Sequence, residues 1–63
     1  MKEKWVIRDI RLDCFYSGKI LGFSDNIVLS ERFDTVDAAK ATMLTLGSGI
    51  YEIVKIYLVD YSS

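Results

Sequence analysis

The chain has 63 residues, of which 51% are apolar, and its eight basic and nine acidic residues give a net charge of −1. A chain of this length predicts one domain over residues 1–63, whose small core usually needs a disulfide, a metal or oligomerisation. Cys14 is the only cysteine and there is no histidine, which excludes an internal disulfide and leaves a zinc site without ligands. No basic run is found that would bind duplex nucleic acid. Of the usual supports for a small core, oligomerisation remains.

The first part of the chain predicts three strands joined by short turns. Apolar residues alternate with other residues over 4–12, which is typical of a strand. Further strands are predicted over residues 19–23, with a backward extension through Phe15 and Tyr16 as an alternative, and over residues 27–33. Ser17-Gly18-Lys19 and Ser24-Asp25-Asn26 separate the three segments as turns, because glycine accepts positive φ and Ser, Asp and Asn bond to their own backbone. Three strands with such short connections predict an antiparallel meander.

A helix follows the meander. Thr35 is placed to cap its N-terminus, and Asp37 lies in the first turn, where a negative charge suits the helix dipole. Gly47 is the expected end. At about 100° per residue, one apolar stripe faces the sheet and Leu44 lies at its edge. That stripe consists of Val36, Ala39, Met43 and Leu46.

The last strand, over residues 51–61, is apolar on both faces. Alternation places Val54, Ile56 and Leu58 on one face and the tyrosines on the other. The order β-β-β-α-β predicts an α+β fold with a single antiparallel-rich sheet of about four strands, the last beside the first, and one helix packed on one face. We expect the helix to cover Val54 and Ile56. The opposite face is then the predicted interface, formed by Trp5, Ile7, Tyr51, Ile53, Tyr57 and Val59.

Catalytic, metal-binding and cofactor-binding residues are not predicted. General acid–base catalysis most often uses histidine, which the chain lacks, and the carboxylates are scattered along the sequence. Cys14 has no base to activate it and is expected to be a packed side chain. The segment Gly47-Ser48-Gly49 leads from a helix into a strand, the reverse of a phosphate-binding loop. We expect a protein that is not an enzyme.

Three segments resemble small accessory proteins encoded by bacteriophages and mobile elements: WVIR at residues 5–8, FDTVDAA at residues 33–39 and YEIVKI at residues 51–56. The resemblance covers most of the chain, but its motifs are generic. Proteins of this kind often bind and block a host protein, so the resemblance implies a phage-derived inhibitor of a host defence or regulatory protein. It implies no particular active residue.

Two hypotheses for function remain. The first is a protein-binding module that uses its open sheet face, or alternatively an edge strand, to form a homodimer and to bind a host protein. The alternative is a single-stranded nucleic-acid-binding protein that stacks bases on Trp5, Tyr51 and Tyr57. Balanced charge favours the first, since Tyr and Trp are also common in protein interfaces. With no export signal, no apolar run near ~20 residues and a single thiol, we expect a cytoplasmic protein without a membrane segment, in the host cytoplasm if phage-encoded.

Overall fold

The computed structural model describes residues 2–59 and has an open four-stranded antiparallel sheet with one main helix. In chain order the elements are β1 Lys2–Asp9, β2 Cys14–Tyr16, α1 Gly18–Leu21, β3 Phe23–Ser24, a 3-10 helix Ile27–Leu29, α2 Val36–Met43 and β4 Tyr51–Leu58. The spatial order of the strands is β3-β2-β1-β4. The predicted α+β class, and the pairing of the last strand with the first, are therefore confirmed.

The longest contact in the sheet is the antiparallel pairing of β1 with β4. Its register runs from Lys2 opposite Leu58 to Asp9 opposite Tyr51, so both strands are paired over their whole length. Val6 and Val54 are opposite one another near the middle. The last strand ends at Leu58, and its predicted continuation beyond Val59 falls outside the described residues.

The first strand ends at Asp9, and the prediction that it runs to Leu12 was wrong. The Asp9 carboxylate accepts hydrogen bonds from the peptide N–H groups of Arg11 and Leu12, at 3.0 and 3.1 Å. Asp13 then adopts a φ of 55° and donates its peptide N–H to the Asp9 carbonyl. An aspartate that bonds to the backbone two or three residues ahead favours a turn over further strand, whatever the apolar pattern.

The strand predicted over residues 19–23 is found only at Phe23, which begins β3, and its alternative extension through Phe15 and Tyr16 lies in β2. Residues 19–22 form the connection of the hairpin between β2 and β3. The turn at Gly18 begins at a φ of 94°, as expected of glycine. Gly22, with a φ of 72°, provides a second left-handed position, and the Ser17 N–H closes the loop on the Gly22 carbonyl at 2.7 Å. Between the two glycines the chain makes one helical turn, α1. Apolar alternation over so short a segment does not distinguish a strand from a single turn of helix.

The predicted third strand, over residues 27–33, is also replaced. The Asn26 side chain accepts the Val28 N–H at 3.0 Å and starts the 3-10 helix. The chain is then extended, and Phe33 forms an isolated bridge with Trp5. The self-capping turn expected at residues 24–26 is confirmed, and its cap turns the next residues into a helix.

Helix α2 begins as predicted. The Thr35 hydroxyl accepts the Ala38 N–H at 3.1 Å, and Asp37 lies in the first turn. The helix ends at Met43, and turn hydrogen bonds carry the chain on through Leu46 to Gly47, which has a φ of 80°. The predicted end at Gly47 therefore includes a last turn that is not α-helical.

The helix covers the opposite sheet face to the one predicted. Ala39 is fully buried in one cluster with Ile7 and Tyr16, and no part of this cluster comes from the Val54 face. The face that the helix covers carries more aromatic area than the Val54 face. Because aromatic side chains bury the most apolar surface, covering this face with the helix is the more stabilising arrangement. Partly buried side chains packed against the cluster are Trp5, Phe33, Met43, Leu46, Tyr51 and Ile53. Val36, predicted in the stripe, is exposed.

Candidate protein-interaction surfaces

The six residues predicted as an interface divide into two groups. Ile7 is 0% exposed beneath the helix. Trp5, Tyr51 and Ile53 are partly buried against the same core. The remaining two, Tyr57 and Val59, are 55% and 57% exposed and lie together at the end of β4. The structure therefore does not present the six as one open face.

The exposed end of the helix-covered face is organised around Lys55. Its ammonium nitrogen lies 5.8 Å from the ring centroids of both Trp5 and Tyr57, at cation–π distance. The same nitrogen is 3.5 Å from a carboxylate oxygen of Glu3 on β1. Lys55 is thus directed toward β1 and away from the outer side of β4.

The face turned away from the helix carries Val54, Ile56 and Leu58, each partly exposed. Ion pairs flank this apolar row. Arg8 donates to Asp13 at 2.6 Å and to Glu52 at 2.9 Å, and these carboxylates raise the pKa of its guanidinium above the ordinary value.

At the other end of that face, Lys4 is paired with Asp34. The hydrogen bond from Lys4 lowers the pKa of the Asp34 carboxyl below its ordinary value. Lys4, Arg8 and Glu52, which lie beside the apolar row, are therefore each in an ion pair.

The outer side of β4 is a second candidate surface. Among residues 2–59, β4 pairs only with β1, so the strand is an edge of the sheet along its full length. Trp5 exchanges backbone hydrogen bonds with Phe33 at 2.9 and 2.8 Å, which directs its peptide groups away from β4.

The direction of the peptide groups alternates along an antiparallel ladder, so the bonds between β1 and β4 come from even-numbered residues of both strands. The Ile10 N–H, bonded to the Ile50 carbonyl at 3.0 Å just beyond the two strands, also joins two even-numbered residues. The odd-numbered residues of β4 therefore direct their N–H and C=O groups outward. We call this row the open edge; its residues are Tyr51, Ile53, Lys55 and Tyr57.

A third candidate surface lies at the opposite end of the strand order, beside β3. Ile20, at the tip of the β2–β3 hairpin, is 98% exposed, and Val28 in the 3-10 helix is 67% exposed. We call this set the apolar loop surface; its residues are Ile20, Leu21, Phe23, Ile27, Val28 and Leu29, all exposed.

Hydrogen bonds hold the apolar loop surface in place. The Ser30 hydroxyl donates to the Ile27 carbonyl at 2.6 Å, and the Arg32 guanidinium donates to the Val28 carbonyl at 3.1 Å. Where the chain comes back beside the end of β2, the Glu31 N–H donates to the Tyr16 carbonyl at 2.9 Å. These bonds fix the backbone of a segment whose apolar side chains are exposed. Phe23, the least exposed of them, also contacts the rings of Tyr16 and Tyr51.

A groove of about 460 Å³ lies between the β2–β3 hairpin and α2. Its lining residues are Tyr16, Lys19, Glu31, Ala41, Thr42 and Thr45. Every buried side-chain nitrogen or oxygen in the described part of the chain has a hydrogen-bond partner, so no buried polar group of the groove is left unsatisfied. The groove has the chemistry of a hydrated surface depression.

Cys14 is buried at the start of β2. Burial raises the pKa of its thiol, and the carboxylate of Asp9, opposite it in the sheet, acts in the same direction. Since the thiolate is the reactive form, this environment suppresses nucleophilic chemistry.

Comparison with protein-family models gives no match, and comparisons with curated proteins and with solved structures give none either. Over residues 2–59, no three or more cysteine and carboxylate side chains are grouped so that they could hold a metal ion. Within the same residues, no helix has the length and apolar character needed to cross a bilayer.

The sequence named an edge strand as an alternative to the open sheet face but did not identify β4 as that edge, and it did not predict the apolar loop surface. The signal for the loop surface was present in Gly18 and Gly22, whose spacing permits two left-handed positions around one turn. The signal for the edge was weaker, because which strand lies at the edge of a sheet depends on the strand order.

Proposed function

We propose that this protein is a non-enzymatic protein-binding module that contacts its partner protein through the apolar loop surface. The observation that carries the proposal is the exposure of six large apolar side chains within residues 20–29. Single exposed apolar residues are normal, but six of them within one short hydrogen-bonded segment of a small protein are typical of an interaction site.

The hydrogen bonds of the loop support the same proposal. A segment held at Ser17, Ile27, Val28 and Glu31 is already ordered before binding, so less conformational entropy is lost on association. The side chains that the backbone presents are aliphatic and aromatic, with Lys19 and Asp25 nearby. A partner with an apolar depression and a polar rim matches this chemistry.

The environment of Cys14 and the composition of the groove favour binding over catalysis. A buried thiol with a raised pKa is a poor nucleophile. The nucleic-acid alternative needs a platform of exposed aromatic rings. Of its three rings, Trp5 and Tyr51 are packed against the core, and Tyr51 stacks on Phe23 with centroids 6.0 Å apart. The phage origin and the host identity of the partner remain predictions from the resemblance alone.

The test is photo-cross-linking inside the cell that makes the protein. A benzophenone amino acid replacing Ile20 should give a discrete cross-linked partner band, and Val28→Asp in the same chain should remove that band. The matched control places the benzophenone at Lys40, an exposed position on α2. Equal bands from both positions, or no band from Ile20, would contradict the proposal.

A further inference from the structure

The open edge has a backbone phase and a charge pattern that fit a second copy of β4. We propose that this protein forms a symmetric dimer in which the β4 strands of two copies pair antiparallel, with Val54 of each copy at the two-fold axis. The dimer joins two four-stranded sheets into one of eight strands. It uses a different surface from the apolar loop surface and stands independently of the proposed function.

The register follows from symmetry. Hydrogen bonds between the two copies must join outward-directed residues, which are the odd-numbered ones. In a symmetric antiparallel pair, each odd-numbered residue then lies opposite another odd-numbered residue of the second copy. The two-fold axis therefore passes through a residue of β4 and not between two residues. An axis at Glu52 or at Lys55 would place like charges directly opposite each other, which is destabilising. An axis at Ile53 or Ile56 would leave part of the open edge without a partner within β4.

The axis at Val54 satisfies the whole open edge. Tyr51 then lies opposite Tyr57 of the second copy, and Ile53 lies opposite Lys55, so every outward-directed residue meets another one. Each of these pairs can exchange two N–H···O bonds. Tyrosine opposite tyrosine is also a favourable cross-strand pair.

The two charges of β4 are already compensated within the subunit. Glu52 accepts the bond from Arg8 at 2.9 Å, and the Lys55 ammonium lies 3.5 Å from Glu3. A lysine on an edge strand usually discourages strand addition. Here its charge is held over β1, so a second strand can approach without desolvating an unpaired ion.

The dimer also extends the apolar row on the face turned away from the helix. Val54 would be a non-hydrogen-bonded pair with its own copy, the closer of the two pair types. Val6, opposite Val54 within the subunit, is fully buried. Val6, Val54 and Val54 of the second copy would therefore lie side by side on three neighbouring strands.

Disulfide trapping tests the register. In a Cys14→Ser background, Val54→Cys places two thiols at a pair whose Cα atoms are about 4.5 Å apart, within disulfide range. The matched controls, Glu52→Cys and Ile56→Cys, lie on the same face, but each would be ~13 Å from its own copy. Val54→Cys should form the covalent dimer at least about tenfold faster than either control.

Sedimentation equilibrium of the unmodified protein, from micromolar to several hundred micromolar, tests the dimer itself. A synthetic chain with an N-methyl group on the Lys55 peptide nitrogen lacks one outward donor but keeps the β1–β4 ladder. Its dimer dissociation constant should rise about tenfold or more. Circular dichroism verifies that each variant is folded.

A wild-type protein that stays monomeric over this range would overturn the proposal. Equal trapping of the three cysteine variants, or fastest trapping at Glu52→Cys, would overturn the register. Ile20→Asp and Val28→Asp should leave the dimer unchanged. A protein whose dimer is intact but which gives no cross-linked partner from the benzophenone at position 20 therefore counts against the proposed function alone.

Discussion

Gly49 leaves the space that the aromatic ring of Tyr51, at the start of the open edge, occupies. A Cβ at this position would lie 2.5 Å from the hydroxyl oxygen and from the Cζ atom of Tyr51. The Tyr51 ring in turn stacks on Phe23 and is packed against the core. Glycine is needed here for space, since the ring has little freedom to move away.

The residue-scale prediction is that Gly49→Ala destabilises the fold by about 1–3 kcal/mol, the usual cost of overpacking. Chemical denaturation in urea measures the free energy of unfolding. The control Ser48→Ala, at an exposed neighbour, should change it by less than about 0.5 kcal/mol. In a Tyr51→Leu background the cost of Gly49→Ala should largely disappear, and an unchanged cost would show that the ring is not the obstacle.

Helix α2 covers the face of the sheet that carries Ile7 and Tyr16. Its fully buried residue is Ala39, and the small side chain allows the helix to approach Ile7 and Tyr16 closely. Ala41 lies on the outer side and is exposed. The two alanines therefore have opposite environments within the same helix.

The element-scale prediction compares the same substitution at both alanines. Ala39→Leu should lower the free energy of unfolding by about 1–3 kcal/mol, because the added volume has no room under the helix. Ala41→Leu should change it by less than about 0.5 kcal/mol. Urea melts of the two variants decide the matter, and reversed sensitivities would mean that the helix covers the sheet with its other side.

At the scale of the whole molecule, the candidate surfaces lie at opposite edges of the sheet. The strand order β3-β2-β1-β4 places the apolar loop surface beside β3 and the open edge on β4. In the proposed dimer the β4 edges are in the centre and both apolar loop surfaces remain at the outside. Such a dimer would offer two equivalent sites to partner proteins. A partner with two binding sites would bind the dimer more tightly than one subunit, because its second contact would be intramolecular.

The whole-molecule prediction concerns nucleic acid. With a net charge of −1, few phosphates can be neutralised and little counterion release is available to drive binding. We expect no affinity tighter than roughly 10⁻⁴ M for single- or double-stranded DNA or RNA at physiological salt. Fluorescence anisotropy with labelled oligonucleotides measures this. A micromolar, salt-sensitive isotherm that is lost in Tyr57→Ala would instead favour the nucleic-acid alternative.

The sequence by itself determined the features that depend on near neighbours. The Thr35 cap, the acidic first turn of α2, the left-handed Gly18 and the self-bonding turn at Asn26 all depend on a few adjacent residues. The two long strands followed from alternation over eight residues. Their pairing followed from the position of the helix between the meander and the last strand.

Only the tertiary structure decided which face of the sheet the helix covers, and which strand lies at the open edge. Both faces of β4 are apolar, so alternation permitted either choice. The choice depends on Tyr16 and Phe33, which come from other parts of the chain and add aromatic area beside Trp5 and Ile53. The short apolar segments at residues 19–23 and 27–33 were equally undetermined. Period alone does not separate strand from helical turn in them, and glycine positions and side-chain caps favoured the turn.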